Sequence, residues 1–223
     1  MKRVFIYVGL AVAIFYGIAC QRMEKEAKQP THFSTPEEAA NKAKSDLLAV
    51  LRSGQKIALG VEEPTIEKSQ PATPIKQYQI TFEDLLSADT FTNLARNEMA
   101  TVVPLVADGN VATIAEVAKD EQGWKVVSLA DKSLSTELDV VRKAAGSQAE
   151  VVIYDLPHSG IKVYGLTQNA AGQPSGAVFY TNYPGFNLGE AVPAERLLPV
   201  LKRDAAEVQQ KYGEELKRQK VVR

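Results

Sequence analysis

The sequence predicts an α+β fold: a mostly antiparallel, curved sheet carrying an N-terminal helix, a middle helix and a long C-terminal helix. Three observations predict it. Residues 100–130 read as three strand-like runs joined by two tight-turn sequences, Asp108-Gly109-Asn110 and Asp120-Glu121-Gln122-Gly123, which is the pattern of an antiparallel meander. Apolar residues recur at helical spacing before the meander, after it, and again at the C-terminal end. The chain is 45% hydrophobic with a single cysteine, so a packed core and not a disulfide framework must hold it.

The first stretch predicts place and not fold. Lys2 and Arg3 precede an uncharged run over 4–19 that ends at the only cysteine, Cys20. This run is shorter than the roughly 20 apolar residues that cross a bilayer as a helix, and it suits the core of an export signal. Gly17-Ile18-Ala19-Cys20 resembles the bacterial lipobox, in which a small residue precedes an invariant cysteine; the departure is Gly17, where the motif usually carries Leu. The resemblance implies diacylglyceryl transfer to the Cys20 thiol, cleavage before it and acylation of the new amine. An uncleaved anchor helix, or an ordinary signal with a coincidental cysteine, are the alternatives. In lipoproteins of enterobacterial type, Gln21 in place of Asp implies transit to the outer membrane, facing the periplasm. The domain reading that follows is a signal peptide over 1–19, a lipidated tether over 20–34, and one α+β domain over 35–220, with a possible subdivision near 133–146.

Charge narrows the partners. Two of the 26 basic residues and none of the 27 acidic ones fall in 1–19, so the remainder carries a net charge of −3. Nucleic acid is not the expected partner, since phosphate binding needs a concentrated positive surface. The expected partners are the membrane, through lipid on Cys20, and an envelope protein. His32 lies in the polar tether and reads as a solvated residue.

The domain opens on Thr35-Pro36-Glu37-Glu38, with Thr35 as N-cap, Pro36 at the first helical position and Glu38 placed for a capping box. Ala40, Ala43, Leu47, Val50 and Leu51 then share a stripe, predicting a helix over 36–52 that stops at Gly54. Residues 56–61 read as a short strand and 62–74, with two prolines, as a loop. Residues 75–82 alternate, with Lys76, Tyr78, Ile80 and Phe82 as the expected core face. A short helix around Leu85 and Leu86 is expected within 83–97.

In the meander, strands are expected over 100–107, 111–119 and 124–130. Its last hairpin, EVAKDEQGWKVVSL, resembles the closing hairpin of cystatin-like and NTF2-like domains, which implies a helix on a curved sheet and no activity. Ser135 then caps a helix over 135–145, with Leu138, Val141 and Ala145 on one stripe and Gly146 as its stop. Strands are expected over 150–156, 161–168 and 177–183, followed by a loop over 183–189. Pro193 opens the last helix, to about 219, with Leu197, Leu201, Ala205, Val208, Tyr212 and Leu216 on one stripe. Its mostly charged end reads as a solvated projection, weakened at Gly213 by roughly 1 kcal/mol.

Motifs that carry chemistry are scarce. Asp155, His158 and Ser159 are sequence neighbours around a turn, whereas the members of a hydrolytic triad come from separate elements, and no Gly-x-Ser-x-Gly elbow occurs. Two distant histidines and one cysteine at the anchor do not make a zinc set, and there is no Gly-rich phosphate cradle, so no metal or cofactor is expected. The candidate contact surface is aromatic: Tyr164, Tyr180, Asn182, Tyr183 and Phe186, near the last strands and the loops at 169–176 and 182–189. The alternative is that these rings, with Phe179, fill the core. The functional expectation is a non-catalytic binding or assembly module of the cell envelope. The runners-up are an envelope hydrolase using carboxylates or His158, and an inhibitor-like or propeptide-like module.

Overall fold

The computed structural model describes residues 31–53, 60–94, 97–146, 149–156, 160–167 and 174–220. The expected signal peptide, Cys20, His158, Ser159 and most of the strand expected over 56–61 lie outside the described residues; Gly60 and Val61 are not in a strand.

The first helix, α1 (Pro36–Arg52), begins where the sequence places it. The Thr35 hydroxyl accepts from the Glu38 amide at 3.2 Å, and the Glu38 carboxylate accepts from the Ser34 amide at 3.0 Å, one residue outside the expected capping box. Three alanines, Ala39, Ala40 and Ala43, are fully buried and let this helix sit close to the sheet. The expected loop at 62–74 instead holds α2 (Glu63–Lys68) and the short strand β1 (Gln70–Pro71). Pro64 stands in the first turn of α2, where a missing N–H costs no helical bond. Arg52 joins the two helices by donating to Glu63 (2.6 Å) and Glu67 (3.0 Å).

Strand β2 (Ile75–Gln79) buries Ile75, Gln77 and Tyr78, so the expected single core face is corrected: both faces are covered. A bulge between Gln77 and Tyr78 in its pairing with β3 accompanies this change of phase. The helix expected within 83–97 is α3 (Phe82–Ser87), closed by a capping box between Thr81 and Asp84, with a 3₁₀ turn (Phe91–Asn93) after it.

The meander is β3 (Asn97–Ala107), β4 (Asn110–Asp120) and β5 (Gly123–Leu129), within three residues of the expected limits. Gly123 adopts φ +131°, and a Cβ there would stand 2.6 Å from the Phe33 carbonyl. That close approach lets Phe33 pair with Trp124 through two backbone hydrogen bonds of 2.7 and 2.8 Å.

Helix α4 (Lys132–Ala145) starts earlier than expected. Its N-cap is Asp131, which accepts from the Leu134 amide at 3.0 Å, while Ser135 is buried in the first turn. Strands β6 (Val151–Asp155), β7 (Lys162–Thr167) and β8 (Pro174–Thr181) follow, the last starting three residues before the expected limit. Pro193 belongs to β9 (Val192–Pro193), and α5 (Ala194–Lys220) starts after it.

The strands form one sheet in the order β5-β4-β3-β2-β6-β7-β8-β9, with β1 also on β3. Every pairing is antiparallel except the central β2–β6, which is parallel. The expected antiparallel α+β architecture is therefore present, as one sheet.

Alternation along the strands divides the core. Val102 on β3 and Val151 and Ile153 on β6 pack with Leu134, Leu138 and Val141 of α4. Their sequence neighbours point the other way: Val103 and Leu105 toward α1, Val152 and Tyr154 toward α3 and α5. One face thus carries α4, the other α1 near the meander end and α3 with α5 near the β6–β8 end. In α5, Leu197, Leu198, Leu201 and Ala205 are buried, and Tyr212 is 43% exposed. No helix among the described residues is long and apolar enough to cross a membrane.

Candidate functional site

The five residues of the expected contact surface fall on both faces of the sheet. Tyr164 is fully buried and Tyr180 nearly so, in the core beneath α4. Tyr183 and Phe186 pack against the opposite core, with α5. The Tyr183 hydroxyl donates to Asp204 on α5, and burial, then this partner, pushes its phenol up to about 12. The Arg196 guanidinium lies 5.3 Å from the Phe186 ring centre, and that ring meets Tyr183 edge-on at 5.9 Å. Tyr164 and Tyr180 therefore present no ring to solvent. Phe179 is also core, 4.0 Å between ring centres from Phe91.

Asn182 acts as a local tie. Its Oδ1 accepts from the Lys162 amide at 2.8 Å, and its Nδ2 donates to Glu137 (3.0 Å) and to the Gly160 carbonyl (3.2 Å). The Glu137 carboxylate on α4 also accepts from the Tyr164 hydroxyl at 2.5 Å. Two donors from β7 and the end of β8 thus hold one carboxylate on α4, a charge-assisted arrangement that fixes the helix over the sheet. Burial and then the negative Glu137 push the Tyr164 phenol far up, so it stays a donor at any ordinary pH.

Beside this tie, adjacent strands bring together polar side chains that sequence spacing does not reveal. Lys162 and Asp155 are register partners on β7 and β6, with Nζ 3.7 Å from Oδ1. Gln77 on β2, only 2% exposed, donates to Asp155 at 3.4 Å, and its own carbonyl oxygen is buried without a partner. Glu116 on β4 stands opposite Ser128 on β5 and hydrogen-bonds to it. Burial raises the Glu116 carboxyl above its ordinary value, Asp131 and Asp155 add to the shift, and Ser128 and Lys162 oppose it. Lys162 is thus ion-paired with Asp155, and Glu116 feels both of them and Asp131 at longer range. Such surroundings favour the protonated form of Glu116 over its carboxylate. Among the described residues, no group of three or more His, Cys, Asp or Glu side chains is placed to hold a metal ion.

His32, expected to be solvated, instead lies 3.2 Å from Asp120 at the β4–β5 turn. Lys125 pairs with the same carboxylate at 3.0 Å and Gln122 donates its amide at 2.9 Å, which together hold Asp120 well below the usual carboxylate range. The sequence signal for this was the turn itself: an Asp two residues before an amide it can accept from.

Comparison with known proteins adds no relative: no family model, curated protein or solved structure matches this chain.

Proposed function

We propose that the chain is a lipid-anchored protein of the bacterial cell envelope, held at the outer membrane through Cys20, whose folded body acts as a non-catalytic binding module. One observation carries the reading: the basic pair Lys2-Arg3, the uncharged run over 4–19 and the sole cysteine stand in the order that export and lipidation require. Each acyl CH₂ buried in a bilayer contributes roughly 0.8 kcal/mol, so two or three chains on Cys20 anchor a body of this size stably. The attachment of Phe33 to Trp124 supports the reading, since it gives the tether a fixed root on the β5 edge.

The test is metabolic labelling with a fatty acid, together with mass analysis of the N-terminal peptide. Wild type should carry the label, begin at Cys20 and sediment with membranes, and Cys20→Ser should lose the label. A free thiol behind an intact leader would overturn the anchor. Membrane retention of unlabelled Cys20→Ser would assign an uncleaved helix instead.

A second reading, an envelope hydrolase working through carboxylates, is favoured by one feature: the half-buried Glu116 with a raised carboxyl near Asp155 and Lys162. General acid catalysis needs such a group. Turnover of an ester or glycoside substrate that Glu116→Gln abolishes, with its fold intact, would establish this reading over the first.

A further inference from the structure

Beside the Phe33–Trp124 bridge lies an open groove of about 280 Å³ across the ends of β3, β4 and β5. That is below the roughly 300–1,000 Å³ of enclosed small-molecule sites, so the groove suits contact with a surface. Met99, Val117 and Trp124 line its apolar part. Helix α1 packs on Val103 and Leu105 farther along β3, and Met99 beyond them stays 46% exposed. Val127, on the same strand as Trp124, is 50% exposed.

Lysines flank the groove. Lys76 pairs with Glu98, and Lys125 with Asp120. Lys119 stands apart: its Nζ lies 5.9 Å from the Trp124 ring centre, and it makes no ion pair among the described residues. A half-buried indole beside a free ammonium on an apolar stem suits the boundary between acyl chains and headgroups.

The chain upstream says what meets this groove. His32 lies 3.2 Å from Asp120, and Phe33 exchanges backbone hydrogen bonds with Trp124, so the tether is rooted at the groove's rim. Residues 21–31 separate this root from Cys20 and span at most roughly 40 Å. A link of that length holds the groove near the bilayer at an effective concentration on the order of millimolar, so a few apolar contacts suffice to dock it.

We infer that the Met99–Trp124 groove docks on the surface of the phospholipid bilayer that carries the anchor. Met99 and Trp124 enter the boundary between headgroups and acyl chains, and Lys119 donates to a headgroup phosphate. The inference rests on the anchoring proposal and adds to it the face that the body turns to the membrane.

The test uses Trp124, the only tryptophan. The full chain is reconstituted into phosphatidylcholine vesicles with or without bromine on the upper acyl chain, where bromine quenches indole on contact. Brominated lipid should cut the emission at least roughly twofold, as for an indole at the interface. Met99→Asp and Lys119→Glu change exposed side chains. Each should restore most of the emission while the protein still sediments with the vesicles. Sedimentation without any loss of emission would overturn the docking and leave the anchor intact. An unacylated protein that stays in the supernatant would overturn both. Quenching that survives both variants would also overturn the inference, in favour of another face. Equal quenching by a monomeric short-chain brominated lipid would overturn it in favour of a single bound lipid, and shielding of Trp124 from iodide by soluble envelope proteins alone, in favour of a protein partner.

Discussion

Glu116 shows how one side chain's surroundings reach the stability of the protein. Burial and the negative Asp131 and Asp155 raise its carboxyl above the ordinary value of 4.5, while Ser128 and Lys162 pull the other way. A carboxyl raised by folding binds its proton more tightly in the native state, so its contribution is full below the unfolded value and is lost as pH rises through the folded one. At neutral pH the ionised Glu116 is thus a net burden. Glu116→Gln keeps a partner for Ser128 and removes the charge, so it should be more stable than wild type at pH 7, by less than about 1 kcal/mol because the site is half open to solvent. Urea midpoints from pH 3.5 to 8 check this: the advantage should shrink as pH falls toward 4.5 and be gone at pH 3.5. An advantage that persists unchanged at pH 3.5 would mean that it is packing and not charge. None of this environment was legible in the sequence, because Glu116, Asp131, Asp155 and Lys162 lie on separate elements that only the tertiary fold relates. The aromatic residues were legible as a group, but composition cannot separate a buried ring such as Tyr164 from an exposed one.

At the level of elements, the meander was legible because alternation and turn residues are local signals. Asp108 with φ 51° and Gly109 with φ 80° are the positive dihedrals that a tight hairpin turn requires. The first helix was legible for the same reason, through Thr35 and Pro36. Helix α2 was not, because Pro64 reads as a breaker unless its place in the first turn is known. Strand β2 misled because a strand covered on both faces does not alternate cleanly. At the start of α4 the sequence points to Ser135 as the cap, whereas the structure has Asp131, and the turn so gained brings the buried Leu134 into the helix. The caps make opposite predictions. Asp131→Ala removes the acceptor for the Leu134 amide and should destabilise the protein by about 1 kcal/mol. Ser135→Ala removes only a hydroxyl that donates back to the Lys132 carbonyl at 3.1 Å, and should change stability by less than about 0.5 kcal/mol. Denaturant melts of the two variants should rank in that order, and the reverse order would restore Ser135 as the cap.

For the whole molecule, the question is whether the two halves of the sheet unfold together. Each half is a helix followed by antiparallel strands, and they join only at the parallel β2–β6 seam within the sheet. The seam pairs residues more than seventy positions apart, such as Gln77 and Ile153, so no local periodicity could announce it. On the opposite face Phe91 and Leu85 share a core with Tyr154 and Leu197, and on the near face what binds the halves is α4. Its buried face covers Ile75, Val102 and Ile114 from one side and Val151, Ile153, Tyr164 and Tyr180 from the other, in one apolar cluster. Cooperativity follows from shared core, since neither half can bury that surface alone. The only tryptophan, Trp124, lies on β5 at the far edge of the first half, so its fluorescence reports on the side remote from β7 and β8. Urea transitions followed by Trp124 fluorescence and by far-ultraviolet circular dichroism should therefore coincide. Leu138→Ala empties the centre of the shared cluster, at a residue with no exposed surface, and should cost about 2–5 kcal/mol. It should lower both midpoints equally, because the cavity opens under both halves. If the Trp124 transition stayed in place while the dichroism transition moved, the meander would be folding alone and α4 would belong to the second half only.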